Sequence, residues 1–165
     1  MRWGMPAAPP RRHGAFAVIS GPIPVLAVGD VLERHVVLTP ASLTLFSGGR
    51  PRDTVAWLEV AEASARLPRV RLVPPRVADA LAGLVAAYLG PVAASSMTGE
   101  VRVRTHDGMA REWQIDGHHA AGYRSEDVLR AARLFAHLTA APQSRRLLGD
   151  PDEVLALLAR ATPAR

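Results

Sequence analysis

The chain has 165 residues, nearly half of them apolar but only 5% aromatic, and a formal charge of +5. That length supports one domain with its own core, built from Val, Leu and Ala around anchors such as Trp57, Tyr88, Trp113 and Phe135. The lack of Cys excludes disulfides, thiolate metal sites and a cysteine nucleophile and fits a reducing, cytoplasmic compartment; every Lys/Arg position is Arg, as in a GC-rich genome, so the high pI is not by itself a nucleic-acid signature.

Residues 1–14 are rich in Pro, Ala and Arg without periodicity and read as a flexible tail, leaving 15–165 as the domain. Arg11-Arg12 followed by the apolar run 15–28 mimics the order of an export signal. Pro22 and Pro24 break the run, however, and it is too short to span a bilayer. An extended entry segment is expected instead, with Ile23–Val28 on the core. Strands are predicted at His35–Leu38, Ser42–Phe46 and Thr54–Trp57, the second with Leu43 and Leu45 on one face, the third with Val55 and Trp57 together. Between them, Thr39-Pro40-Ala41 reads as a turn and Ser47–Arg52 as a loop. Leu58–Ala65 is a further strand candidate.

Residues 66–76 read as a linker, and Val77, Leu81, Leu84, Val85, Tyr88 and Leu89 fall at helical spacing, closed by Gly90-Pro91. Asp107-Gly108 marks a β-hairpin. A three-residue loop, His106–Gly108, pairs Thr105 with Met109, sets Val101 against Trp113 and Arg102 against Glu112, and so collects apolar residues on one face. In that register Arg111 is a misfit on the inner face, expected near the rim. Ser125 reads as an N-cap, with Glu126 and Asp127 in the first turn of a helix to about Thr139 or Ala140. Its polar residues Glu126, Arg130, Arg133 and His137 form a narrow stripe, which predicts a largely buried helix. Asp150-Pro151-Asp152-Glu153 starts a last helix, to about Ala161.

The order Gly29-Asp30-Val31-Leu32, a strand ending Leu38-Thr39, then Ser42-Leu43-Thr44-Leu45-Phe46, an Arg-bearing loop, Val55-Ala56-Trp57 and Val60, a late Asp107-Gly108 hairpin and one long helix resembles the bacterial pleckstrin-homology-like (PH-like, GRAM-like) domains over roughly residues 29–140. The resemblance implies an α+β fold: an antiparallel sheet or partly open barrel closed by a C-terminal helix. The helix near 76–90 would be an insertion and the one near 150–161 an addition. It also implies a non-enzymatic module that binds a protein, a peptide or a lipid headgroup, without a cofactor. Fold alone does not fix function.

Ten Arg against five acids fall in residues 1–76, and ten against ten in 77–165, so the whole charge excess lies in the first half. In PH domains basic residues on a strand-connecting loop hold phosphates, which points to Arg50 and Arg52, with Arg66, Arg69 and Arg71 extending the patch; the guanidinium fork suits that chemistry. Anionic lipid or nucleic acid is therefore a second partner class beside a protein or peptide. The alternative is ordinary surface arginine. His118-His119 near Asp116 would be the place to seek metal or acid–base chemistry, but no further ligand stands at the right spacing and an exposed loop explains the pair. No serine-hydrolase or phosphate-loop motif is present. The short terminal helix is a candidate dimerisation element.

Overall fold

The computed structural model describes residues 9–69, 97–119 and 122–161. Within these residues nine strands form two antiparallel sheets. The first has six in sequential order: β1 (Arg11–His13), β2 (Phe16–Ile19), β3 (Val25–Gly29), β4 (Arg34–Leu38), β5 (Ser42–Ser47) and β6 (Arg50–Ala56). A 3₁₀ turn at Trp57–Glu59 leads into the second, β7 (Val60–Arg66), β8 (Thr98–Thr105) and β9 (Ala110–Asp116). Helix α1 (Ser125–Ala140), a 3₁₀ segment (Pro142–Gly149) and helix α2 (Pro151–Arg160) follow among the described residues. The fold is thus α+β, a partly open sandwich rather than a closed barrel.

Alternation along the strands builds the core. Phe16, Val18, Leu26, Val28, Val36, Leu38 and Leu43 point from the first sheet toward Val101, Val103, Trp113 and Ile115 of the second. The intervening positions Ile19, Val25, Ala27, Val37 and Phe46 form a separate buried cluster on the opposite face of the first sheet. The six-stranded sheet is therefore apolar on both faces, which is why β2 and β3 lack a polar alternation.

The β8–β9 hairpin has the expected register: Val101 opposes Trp113, Arg102 opposes Glu112, and the Thr105 amide donates to Met109. Gly108 sits at φ 88°, a left-handed position that glycine takes without cost. Leu43 is buried and Leu45 packs beside it, as their spacing requires, and Val55 and Trp57 both enter the core.

Other expectations are corrected. The stretch assigned to a flexible tail contains β1, paired with β2, while residues 1–8 lie outside those described. The extended entry segment is instead the β2–β3 hairpin, with Pro22 and Pro24 near its turn; Val25–Val28 are buried, but Ile23 is 71% exposed. The loop 47–52 shrinks to Gly48-Gly49. Both glycines have positive φ, the conformation that closes a two-residue hairpin, so strand pairing resumes at Arg50. Arg66, assigned to a linker, ends β7. The predicted helix from Val77 to Leu89 lies outside the described residues.

Helix α1 begins at Ser125 itself, with Arg124 at the cap position and no side-chain cap. It is not largely buried. Val128, Ala131, Leu134, Phe135 and Leu138 face the core, whereas Ala132 and Ala136 are exposed and Leu129 is 43% exposed. Alanine reports helix propensity, not burial, and the narrow polar stripe overstated the apolar face. The helix packs on β7, where the small side chains of Ala63 and Ala65 let it approach. Asp150 caps α2 as its sequence requires, accepting from the Glu153 amide at 3.1 Å with Pro151 in the first turn.

Candidate functional site

Two regions collect chemistry, and they differ in kind. The first is a polar seam where β9 crosses the first sheet. At its start, Arg111 donates to Asp53 of β6 at 2.9 Å, and the Trp113 indole donates to the same carboxylate at 3.0 Å. At its end, Arg34 of β4 grips Asp116 with two bonds of 2.8 Å. Bonding to this carboxylate raises the Arg34 pKa above its ordinary value, against a smaller opposing effect of burial. The Asp30 amide donates to the Asp116 carbonyl at 2.6 Å. Gly29 is required beside it: at φ 103° a Cβ there would stand 2.9 Å from the Arg34 carbonyl oxygen. Arg111, the sequence misfit, is thus half-buried and paired, and its Asp53 partner, distant in sequence, carried no local signal.

His118 and His119 are half-buried at the end of this seam, not on the exposed loop expected. His118 Nε2 lies 2.8 Å from the Gly14 carbonyl oxygen, and the Tyr123 hydroxyl lies 3.2 Å from Nδ1. A carbonyl only accepts, so neutral His118 carries its proton on Nε2 and Nδ1 accepts from Tyr123. Burial, then the neighbouring His119, pushes the His118 pKa down; burial pushes the Tyr123 phenol up to about 12. Both His118 nitrogens thus serve the fold, and Asp116 is committed to Arg34. Among the described residues no three His, Cys, Asp or Glu side chains converge as a metal site.

The second region is a groove of about 470 Å³ between α1, the 3₁₀ segment and α2. Leu134, Leu138, Leu147, Val154 and Leu158 line it, with Leu157 42% exposed at its mouth and Arg130, Arg133 and His137 along the α1 side. Its third wall is fixed from beneath. Arg145 lies over the Trp57 ring, 5.1 Å from its centroid, and donates to the carbonyls of Leu138 at 2.8 Å and Trp57 at 3.1 Å. The Trp57 indole in turn donates to the Thr39 carbonyl at 2.8 Å. His137 Nε2 lies 2.9 Å from the Ser144 hydroxyl. The polar stripe of α1 was visible in sequence; that it flanks an apolar groove depends on where α2 returns.

The arginines named from sequence do not lie on one element. Arg50 and Arg52 are exposed at the start of β6, next to the Gly48-Gly49 turn. Arg66 is exposed at the end of β7, and Arg69 just beyond it bridges to Tyr123. The two strands belong to different sheets and are joined at their other ends by the turn at Trp57–Glu59. Arg71 lies outside the described residues. Among the described residues no helix is long and apolar enough to cross a membrane.

No family model matches the chain, and neither a curated protein nor a solved structure matches it.

Proposed function

We propose that the chain is a non-catalytic, PH-like binding module that holds a segment of a protein partner in the groove between α1 and α2. The strand order supports the PH-like part: β3–β6, a corner, β7–β9 and a helix follow the order of that resemblance, with β1 and β2 added in front. The observation that carries the binding role is the groove itself. It is apolar, of a size that suits a ligand, and bordered by exposed Leu157 and by cations.

The two outer strands of the first sheet offer less. β1 has three residues, all charged or imidazole and exposed, and β6 carries Pro51 and three charges. Short, charged and proline-bearing edges resist the addition of another strand.

The second reading, contact with an anionic headgroup or nucleic acid, rests on the exposed Arg50 and Arg52 beside their hairpin turn. A random peptide library displayed on phage separates the two. Peptides enriched on the wild-type protein should fail to bind Leu157→Glu, a change at an exposed site, and should bind Arg50→Ala/Arg52→Ala normally. Enriched peptides that ignore Leu157→Glu would remove the groove from the proposal. Binding only of anionic vesicles, lost with Arg50 and Arg52 and at moderate salt, would establish the second reading.

A further inference from the structure

Resting on the groove reading above, we infer that the occupant is an acidic amphipathic helix rather than a second copy of this chain. The argument starts from composition. The groove floor is supplied by Leu and Val side chains, and among the described residues its lining contains no carboxylate. Among the described residues the charged side chains that line it, Arg130 and Arg133, come from one side of α1, where His137 continues the row at helical spacing.

The two arginines are differently committed. Arg130 is ion-paired with Asp127 at 3.2 Å and reaches Glu126 at 3.8 Å, so its charge is offset within its own helix. Arg133 is exposed and donates to the neutral Ala161 carbonyl at 3.4 Å, at the end of α2. Its guanidinium carries five N–H donors in a planar fork, so a carboxylate can engage it beside that carbonyl. The mouth of the groove therefore presents a cation next to Leu157, and a partner that buries the leucine brings its flanking side chains against Arg133.

A second copy is the poorer match. Two copies meeting with α1 against α1 would bring Arg133 and Arg130 toward the partner's arginines, a like-charge contact that opposes association, and with α1 against α2 the arginines would need carboxylates at the groove mouth. The carboxylates of α2, Asp152 and Glu153, stand in its first turn, away from Ala161, and Asp152 is held by Arg11 at 2.9 Å. With ten residues, α2 is about 15 Å long, a wall that matches apolar anchors spaced i, i+4 and i+7 on one helix face.

Two synthetic peptides test this, each a lactam-stapled helix of about four turns with Leu at i, i+4 and i+7. One carries Glu beside the leucines and the other Lys. The wild-type protein should bind the Glu peptide roughly tenfold or more tightly than the Lys peptide. Arg133→Glu should reverse that order, Leu157→Glu should weaken both, and rising salt should narrow the difference. Amide spectra of both variants, matching the wild type away from the groove, exclude misfolding. Equal affinity for the two peptides, or no response to Arg133→Glu, overturns the acidic preference while leaving the groove reading in place. If neither peptide binds or shifts groove resonances, both fall. Binding of dodecanoate but neither peptide, or a dimer in sedimentation that Leu157→Glu dissolves, would replace the helix with those occupants.

Discussion

Where β9 crosses the first sheet, charged side chains of the two layers meet in pairs: Arg111 with Asp53 at one end, Asp116 with Arg34 at the other, and a backbone bond from Asp30 beside them. Where α1 meets α2, the contact is made by Leu and Val, and the charges stand at the rim. Paired and partly buried charges fix one arrangement of two surfaces, because any slip leaves a charge without its partner. Apolar contacts tolerate a change of neighbour. The seam has committed both of its carboxylates to the fold, leaving only the buried Arg111 Nε among its charged groups without a partner among the described residues; the groove still has apolar surface to bury. That contrast ties the seam to the fold and leaves the groove as the region proposed for binding, and it can be broken by substitution.

The largest effect should come from the inner face of α1. Phe135 is fully buried in the main core. Its replacement by Ala should cost about 3–5 kcal/mol, measured by denaturant unfolding. A loss of under about 1 kcal/mol would mean that α1 is only loosely docked and that the groove has no firm wall.

The next effect separates the two sides by pH. His35 is buried near the seam, stacked on Phe46 at 5.3 Å, and burial pushes its pKa down to about 4, opposed by a hydrogen bond to the Asp30 backbone and by the Asp30 charge. The folded protein therefore holds this ring neutral while the unfolded chain protonates it near its ordinary value. The contribution is complete above the unfolded pKa and is lost as pH falls toward 4, amounting to about 3 kcal/mol across that window. His118, also depressed, acts in the same direction. His35→Leu should flatten the pH dependence of unfolding between about 6.5 and 4, whereas Leu157→Glu should leave that window unchanged. An equally steep loss in His35→Leu would show that the ring is not held neutral.

At the seam itself, Asp116→Ala removes a nearly inaccessible carboxylate and leaves Arg34, whose side chain is 38% exposed. Water can reach the stranded guanidinium, so the cost should be about 2 kcal/mol rather than the larger value of a fully buried pair. The double variant with Arg34→Ala should recover part of it in a mutant cycle. Simple additivity would mean that the two side chains do not depend on each other.

Legibility in the sequence follows the same division. The β8–β9 register was readable because a turn signal and two kinds of cross-strand pair agreed within a short span. The start of α2 was readable because its cap, proline and acids are contiguous. β2 and β3 were missed as a hairpin because both faces are buried, which removes the polar alternation, and because Pro22 and Pro24 looked like breakers of a run when they sit beside its turn. β1, made of Arg and His, offered no apolar pattern at all. Asp53–Arg111 and Arg34–Asp116 join residues far apart in the chain: Arg111 stood out as a misfit on the inner face, but no local pattern pointed to its partner Asp53 or joined Arg34 to Asp116. The groove was half legible: the polar stripe of α1 could be seen, but the 3₁₀ segment that turns α2 back across it has no periodicity.

The smallest effect on stability is the most discriminating for function. Leu157 is 42% exposed at the groove mouth, so a Glu there keeps its carboxylate in water and should cost no more than about 1 kcal/mol of unfolding free energy, far less than Phe135→Ala. Within a turn or so of Arg133's contact at Ala161, the new carboxylate places a negative charge where the proposed partner brings its own. Peptide binding should therefore fall while the melting transition stays close to that of the wild type. If Leu157→Glu instead unfolds the protein as Phe135→Ala does, that leucine belongs to the core, and the contrast between a committed seam and an available groove disappears.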